Sequence, residues 1–165
     1  MSNRILVIGV GNLLMGDDGL GLAVLEQLQA DWRWPPGVEF LDGGGWGITL
    51  LPAIEDAEEV ILLDAIEAHR EPGEVVVLEG DELPRMFDFR ISPHHIGIQD
   101  VLALLELRGT RPSRLVAIGV QPARVEWGVG LSPEVTAAVP RLLDAVMARL
   151  AGRGVMPVSR EPVHA

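Results

Sequence analysis

Cysteine is absent from the 165 residues, and so is lysine: all thirteen cationic side chains are arginine. Without thiols there is no disulfide, no thiolate metal site and no cysteine nucleophile. Without a lysine ammonium, Walker-type phosphate binding and Schiff-base chemistry are closed together. No apolar run reaches the length of a bilayer span, so membrane insertion is not expected. Positive charge is scarce overall. The formal net charge of −11 argues against nucleic acid or an anionic lipid surface as partner and suits a basic or cationic ligand. A secretory cleavage pattern is also missing, since a single arginine precedes the first apolar run; the expected compartment is the cytoplasm.

What is present is ordinary for a globular chain: 48% hydrophobic residues and a positive mean hydropathy. The length suits one domain with a full core, expected over residues 1–165. Residues 152–165 are expected to form a flexible tail, because Gly152, Gly154, Pro157 and Pro162 oppose any regular element.

The most informative stretch is residues 4–21, RILVIGVGNLLMGDDGLG. Residues 5–10 have the length and branched side chains of a strand buried on both faces, as in a parallel sheet. In open α/β sheets ligands bind beyond the carboxyl ends of strands, and that position here holds Asn12, Asp17 and Asp18. The Gly-x-Gly after the strand suggests a dinucleotide fold at first. Leu14 stands where a third glycine is needed, however, and two acids would meet the phosphates with like charge. A cation suits the loop better.

The same grammar recurs. A helix is expected from about Leu20 to Asp31, a turn at residues 32–37, and a strand over residues 38–41 ending at Asp42 and three glycines. Residues 60–63 form a third apolar strand ending at Asp64, followed by helix-compatible sequence. After the turn at Pro72 and Gly73, a fourth strand over residues 73–78 alternates partially, as an edge strand does. Ser92, Pro93, His94 and His95 open a helix on which Ile98, Val101, Leu102 and Leu105 share a face. Residues 115–120 are the fifth strand. Ser132 and Pro133 start a last helix with an apolar stripe through Val135, Val139, Leu142, Leu143, Val146 and Leu150, interrupted by Pro140, which should kink it. The fold class expected is α/β, a doubly wound parallel sheet with the fourth strand at an edge.

A hydrolytic metal site in this chain has only carboxylates and imidazoles to draw on. Asp18, Asp42 and Asp64 fall at the ends of the first three strands, and His94 or His95 is expected in a loop placed to reach the same edge. Two carboxylates and one imidazole leave coordination positions open, as a catalytic or recognition site needs. Each residue also has a plainer reading: Asp18 and Asp64 as helix caps, Asp42 as a turn residue before glycines, the histidines as surface residues, Glu58 and Glu59 as a solvated face. Caps alone do not require three acids at one edge. None of the five serines sits in Gly-x-Ser-x-Gly, so a hydrolase elbow is unsupported, while a carboxylate dyad would leave the histidine unexplained.

Taken together, GVGNLLMGDDGLG, LDGGGWG, LLDAI and ISPHHIG, in that order between Arg4 and Leu150, resemble the hydrogenase maturation endopeptidases. The resemblance implies a three-layer α/β/α fold with a five-stranded, mostly parallel sheet. It implies an endopeptidase that trims the C-terminal extension from the precursor of a nickel-iron hydrogenase large subunit. Its metal-recognising residues fall on Asp18, Asp64 and His94, the histidine directly after proline, and the nickel they recognise is supplied by the substrate, with no organic cofactor. Asp17, Asp42, Gly43, Gly44, Trp46 and His95 are then expected to shape the substrate cleft, glycine allowing close backbone approach. Two other classes compete with this reading: a Rossmann-type nucleotide-binding module using Gly9 and Gly11, and a non-catalytic hydrogenase assembly factor that holds the precursor without cutting it.

Overall fold

The computed structural model describes residues 3–43, 47–80, 82–83 and 93–160, with backbone alone for residues 47–48 and 93–99. The chain runs β1 (Ile5–Gly9), a 3-10 turn (Gly16–Gly19), α1 (Leu20–Asp31), β2 (Trp32–Arg33), β3 (Val38–Asp42), a second 3-10 turn (Gly47–Leu50), α2 (Leu51–Asp56), β4 (Glu59–Ala65), β5 (Val75–Glu79), α3 (Pro93–Arg108), β6 (Arg114–Val120), α4 (Pro133–Ala151) and β7 (Val158–Ser159).

Four strands are parallel in the order β3-β1-β4-β6, and β5 closes the far edge antiparallel to β6. The continuous apolar runs explain the centre of this sheet: every residue of β1 and β4 is buried, because helices cover both faces. Side-chain alternation divides the core. Val7, Ile61, Leu63, Val116 and Ile118 point to the layer containing α1 and α4, where they meet Leu20, Val24, Leu28, Leu142 and Val146. Leu6, Ile8, Val60, Leu62 and Ala117 point to the opposite layer, against Ile54 of α2 and Val101 and Leu105 of α3. The expected three-layer α/β/α architecture is therefore what the chain adopts, and the edge strand expected over residues 73–78 is found at residues 75–79.

Several local expectations are corrected. No helix lies between β4 and β5; that connection is instead held by the buried Gln121 side chain, whose Oε1 accepts from the Ala68 and Arg70 amides at 2.8 and 3.1 Å while Nε2 donates to Glu67. Side-chain bonds to backbone do there what a helix does elsewhere. Glu59 is not part of a solvated face. It is fully buried at the amino edge of the sheet, between Arg149 Nε at 2.5 Å and Arg153 Nε at 2.8 Å. Burial works to lower the Arg149 pKa, but its hydrogen bonds to Glu59 and Glu79 outweigh that and raise it above the usual guanidinium value.

Nor is the segment after Gly152 a loose tail as far as Arg160. Val158 and Ser159 of β7 pair antiparallel with Arg33 and Trp32 of β2, the Arg160 amide donates to the Asp31 carbonyl, and Val155 packs on the α1/α4 core. The segment expected as a plain turn at Trp32 and Arg33 supplies the receiving strand. Truncation after Gly152 is therefore expected to lower stability by roughly 1–3 kcal/mol, since it removes one of the two arginines that neutralise buried Glu59. A thermal melt checks it: the truncated protein should melt several degrees lower, about 2–4 °C per kcal/mol at this size. Truncation after Arg160 should leave the melting point in place.

Candidate functional site

The site is built at the carboxyl edge of the sheet, and glycine is what closes it. A side chain at Gly21, in the first turn of α1, would lie 2.1 Å from the Leu63 carbonyl and 2.4 Å from that of Val10. With hydrogen there instead, α1 sits directly on the ends of β1 and β4. The chain entering α1 is thereby brought to the end of β4, so that Asp18, three residues before Gly21, comes to the same place as Asp64, one residue after Leu63.

Gly11 lies between these two acids. Its φ of +126° is open to glycine, and a Cβ there would overlap the Asp18 carbonyl at 1.9 Å and stand 3.6 Å from Asp64 Oδ1. Asp18 is 1% exposed and Asp64 0%. One Asp18 oxygen, Oδ2, accepts from the Asn12 amide at 3.1 Å, and Asn12 Oδ1 in turn accepts from Leu14 N at 2.9 Å. Asp64 is the sixth of seven residues in β4 and pairs in register with Gly119 of β6.

The capping accounts of these acids fail. α1 starts with Gly19 as its cap and no side-chain bond, while Asp64 is inside a strand that no helix follows. Two carboxylates buried without a capping task, at the edge where α/β sheets bind ligands, are oxygen donors suited to a cation. The nearby N-terminus of α1, whose dipole favours negative charge, offsets part of the cost of burying them.

Asp17, expected in the cleft, turns the other way. It is fully buried, and its two oxygens take four hydrogen bonds: Oδ1 from the Ser132 amide at 2.7 Å, Oδ2 from the Ala123 and Arg124 amides at 2.9 Å each and from the Ser132 hydroxyl at 2.8 Å. Ser132 also caps α4, accepting from Val135 N. A single carboxylate thus ties the turn after β1 to the loop after β6 and to the start of α4. The neighbouring acids have split roles, Asp18 toward the edge and Asp17 toward the frame.

Asp42 ends β3 beside Gly9 and is exposed at the same edge; Gly43 is buried, with no room for a Cβ against Ile8. Gly44 and Trp46 lie outside the described residues. His94 and His95 are the second and third residues of α3, and their side chains lie outside the described residues as well. The helix direction still places them. At its far end Arg108 and, just beyond, Thr110 bond to Glu55, close to where β4 begins, so α3 starts at the level of the carboxyl edge. Among the described residues no three His, Cys, Asp or Glu side chains form a metal cluster.

A hollow of about 790 Å³ opens at the opposite, amino edge among Arg111, Arg114, Arg149 and Arg153. Each of these arginines has a glutamate partner, respectively Glu106, Glu58, Glu59 with Glu79, and Glu58 with Glu59. That groove is charge-neutralised and far from the acids. Ser132, Gly21 and Gly119 were not singled out in the sequence; the cap-proline pair Ser132–Pro133 marked a helix start but not a second partner.

The family model described as hydrogenase maturation protease matches residues 22–149. The hydrogenase 2 maturation protease of Escherichia coli (strain K12) is 39% identical over 162 residues, covering 98% of this chain and 99% of its own. Among solved structures, the hydrogenase maturating endopeptidase HybD from E. coli superposes with a TM-score of 0.89 at 39% identity, covering 95% of this chain and 98% of that one. The [NiFe] hydrogenase maturation protease HybD from Thermococcus kodakarensis gives 0.71 at 29% identity, covering 88% and 98%. With the buried acids at the carboxyl edge and this likeness along nearly its whole length, the chain belongs to the hydrogenase maturation protease family.

Proposed function

We propose that this protein hydrolyses one peptide bond in the large-subunit precursor of a nickel-iron hydrogenase, releasing the C-terminal extension after nickel has been inserted. The observation that carries the reading is that two buried acids flank Gly11: Asp18, from the turn before α1, with its carbonyl against the glycine, and Asp64, near the end of β4, with its Oδ1 on the other side. The pair and His94 bind the nickel that the substrate brings. Such an ion, held next to the scissile bond, polarises a carbonyl or acidifies a water. The protein's own residues hold the acids in place: Gly11 leaves no Cβ between the Asp18 carbonyl and Asp64, and the Asn12 amide donates to Asp18. Hydrolysis consumes one water, breaks the C–N bond, and leaves a new carboxylate on the subunit and an amine on the released peptide.

A dedicated resident metal is not expected of this donor set. Two carboxylates and an imidazole bind first-row ions with little selectivity. The nucleotide-binding alternative is disfavoured by geometry, because Asp17 and Asp18 occupy the turn where phosphate would have to sit. An assembly factor that never cuts is disfavoured by the proteases to which the chain is similar.

Mass spectrometry of the precursor after incubation tests the reading. Nickel-loaded precursor should lose its extension and nickel-free precursor should remain whole, while His94→Ala should leave both uncut. Equal cleavage of the two precursors by the unmodified protein would overturn recognition of substrate-borne nickel.

A further inference from the structure

Five of the nine large hydrophobic side chains that are exposed among the described residues belong to two loops: Leu13 and Leu14 after β1, and Val125, Trp127 and Val129 after β6. Trp127 is 79% exposed and Val129 83%. The two loops are one structure. Gly16 N donates to the Gly128 carbonyl at 2.8 Å, Gly128 N donates to the Leu14 carbonyl at 2.9 Å, and Asp17 N donates to the Arg124 carbonyl at 3.0 Å. The Asp17 carboxylate holds both ends of the second loop, at Ala123 and Arg124 and again at Ser132. Apolar side chains are therefore presented to water by backbone that is pinned at its ends and at its middle.

Clustered exposed apolar groups on a rigid frame mark an interaction surface rather than a frayed loop. Their place identifies the partner. The first loop begins at Gly11, which lies beside Asp64 and the Asp18 carbonyl, and at Asn12, whose amide donates to Asp18, so the patch continues from the acids into solvent. The substrate of a maturation protease is a protein, and it must cover this edge when its scissile bond reaches those acids. Resting on the proposed activity, we infer that the joined loops carrying Leu13, Leu14, Val125, Trp127 and Val129 are the docking platform for an apolar surface of the hydrogenase precursor next to its scissile bond. Because the platform is pinned before binding, little ordering entropy is lost on docking.

The test measures binding and cleavage separately, with the full-length protein and nickel-loaded precursor. Trp127→Ala and, as a second variant at a still more exposed position, Val129→Asp should keep the melting temperature of the unmodified protein. Each should raise the dissociation constant for precursor by surface plasmon resonance, and KM in the cleavage assay, by about tenfold or more, with kcat nearly unchanged. Unaltered binding in both variants would overturn the platform. Sedimentation velocity adds the remaining occupant: self-association of the unmodified protein that both variants abolish would assign the surface to a second copy and overturn the inference. If the unmodified protein binds precursor without cutting it, the activity fails while the binding comparison still decides the platform.

Discussion

Asp64→Asn is expected to reduce cleavage of nickel-loaded precursor by on the order of 10³-fold, the scale seen when a group acting directly on the transition state is removed. That is a barrier increase of about 4 kcal/mol. The substitution keeps the shape of a side chain that is entirely buried in β4 and changes only its charge and one acceptor. Asp18 is buried at the same edge, around the same glycine, and two carboxylates there repel one another when no cation lies between them. In metal-free buffer the variant should therefore be as stable as the unmodified protein or more so. Urea denaturation beside the mass-spectrometric assay separates the effects. A large loss of stability with the loss of activity would mean that Asp64 chiefly supports the fold, and retained cleavage would remove it from the site.

Asp17→Ala should do the reverse, unfolding the frame first and the activity only as a consequence. Truncation strands three backbone amides and a hydroxyl that now donate to one buried carboxylate. Unpaired buried donors cost roughly 1–3 kcal/mol each, partly recovered where water enters, so a net loss of about 3–5 kcal/mol is expected. At this chain length that corresponds to a fall in melting temperature of roughly 10 °C or more. Asp17→Asn, which replaces an acceptor by a donor facing donors, should recover only part of it. Differential scanning calorimetry reads the difference, and a loss below about 1 kcal/mol would show that the desolvation of the carboxylate cancels its four bonds.

The contrast between these neighbours shows what the sequence could reveal. Strands buried on both faces are continuous branched runs, so residues 5–10 and 60–63 announced themselves, and Asp18 and Asp64 were placed at the right edge by the α/β rule alone. Nothing in the local pattern distinguishes Asp17 from Asp18. Three of the four donors that capture Asp17 are backbone amides, present in almost any segment, and they lie 106 to 115 residues away. The docking of the chain after Gly152 was hidden for a related reason: β2 and β7 are two residues each, too short for any period, and their glycine- and proline-rich surroundings read as loop. Glu59 looked like half of a surface acid pair because the first of its two arginines is ninety residues further on. The helix expected after β4 was overridden by one glutamine, Gln121, just past the end of β6.

The Asp17 clamp also sets the order in which this protein can become competent during synthesis. Both acids of the first turn leave the ribosome early, but the amides that fix that turn belong to residues 123, 124 and 132, and the helix that seats the last of them runs to Ala151. Closing a loop of more than a hundred residues carries an entropic cost that no partial chain repays. A nascent chain therefore carries Asp18 with its supporting turn unsecured, and the protease is assembled only when nearly all of it has been made.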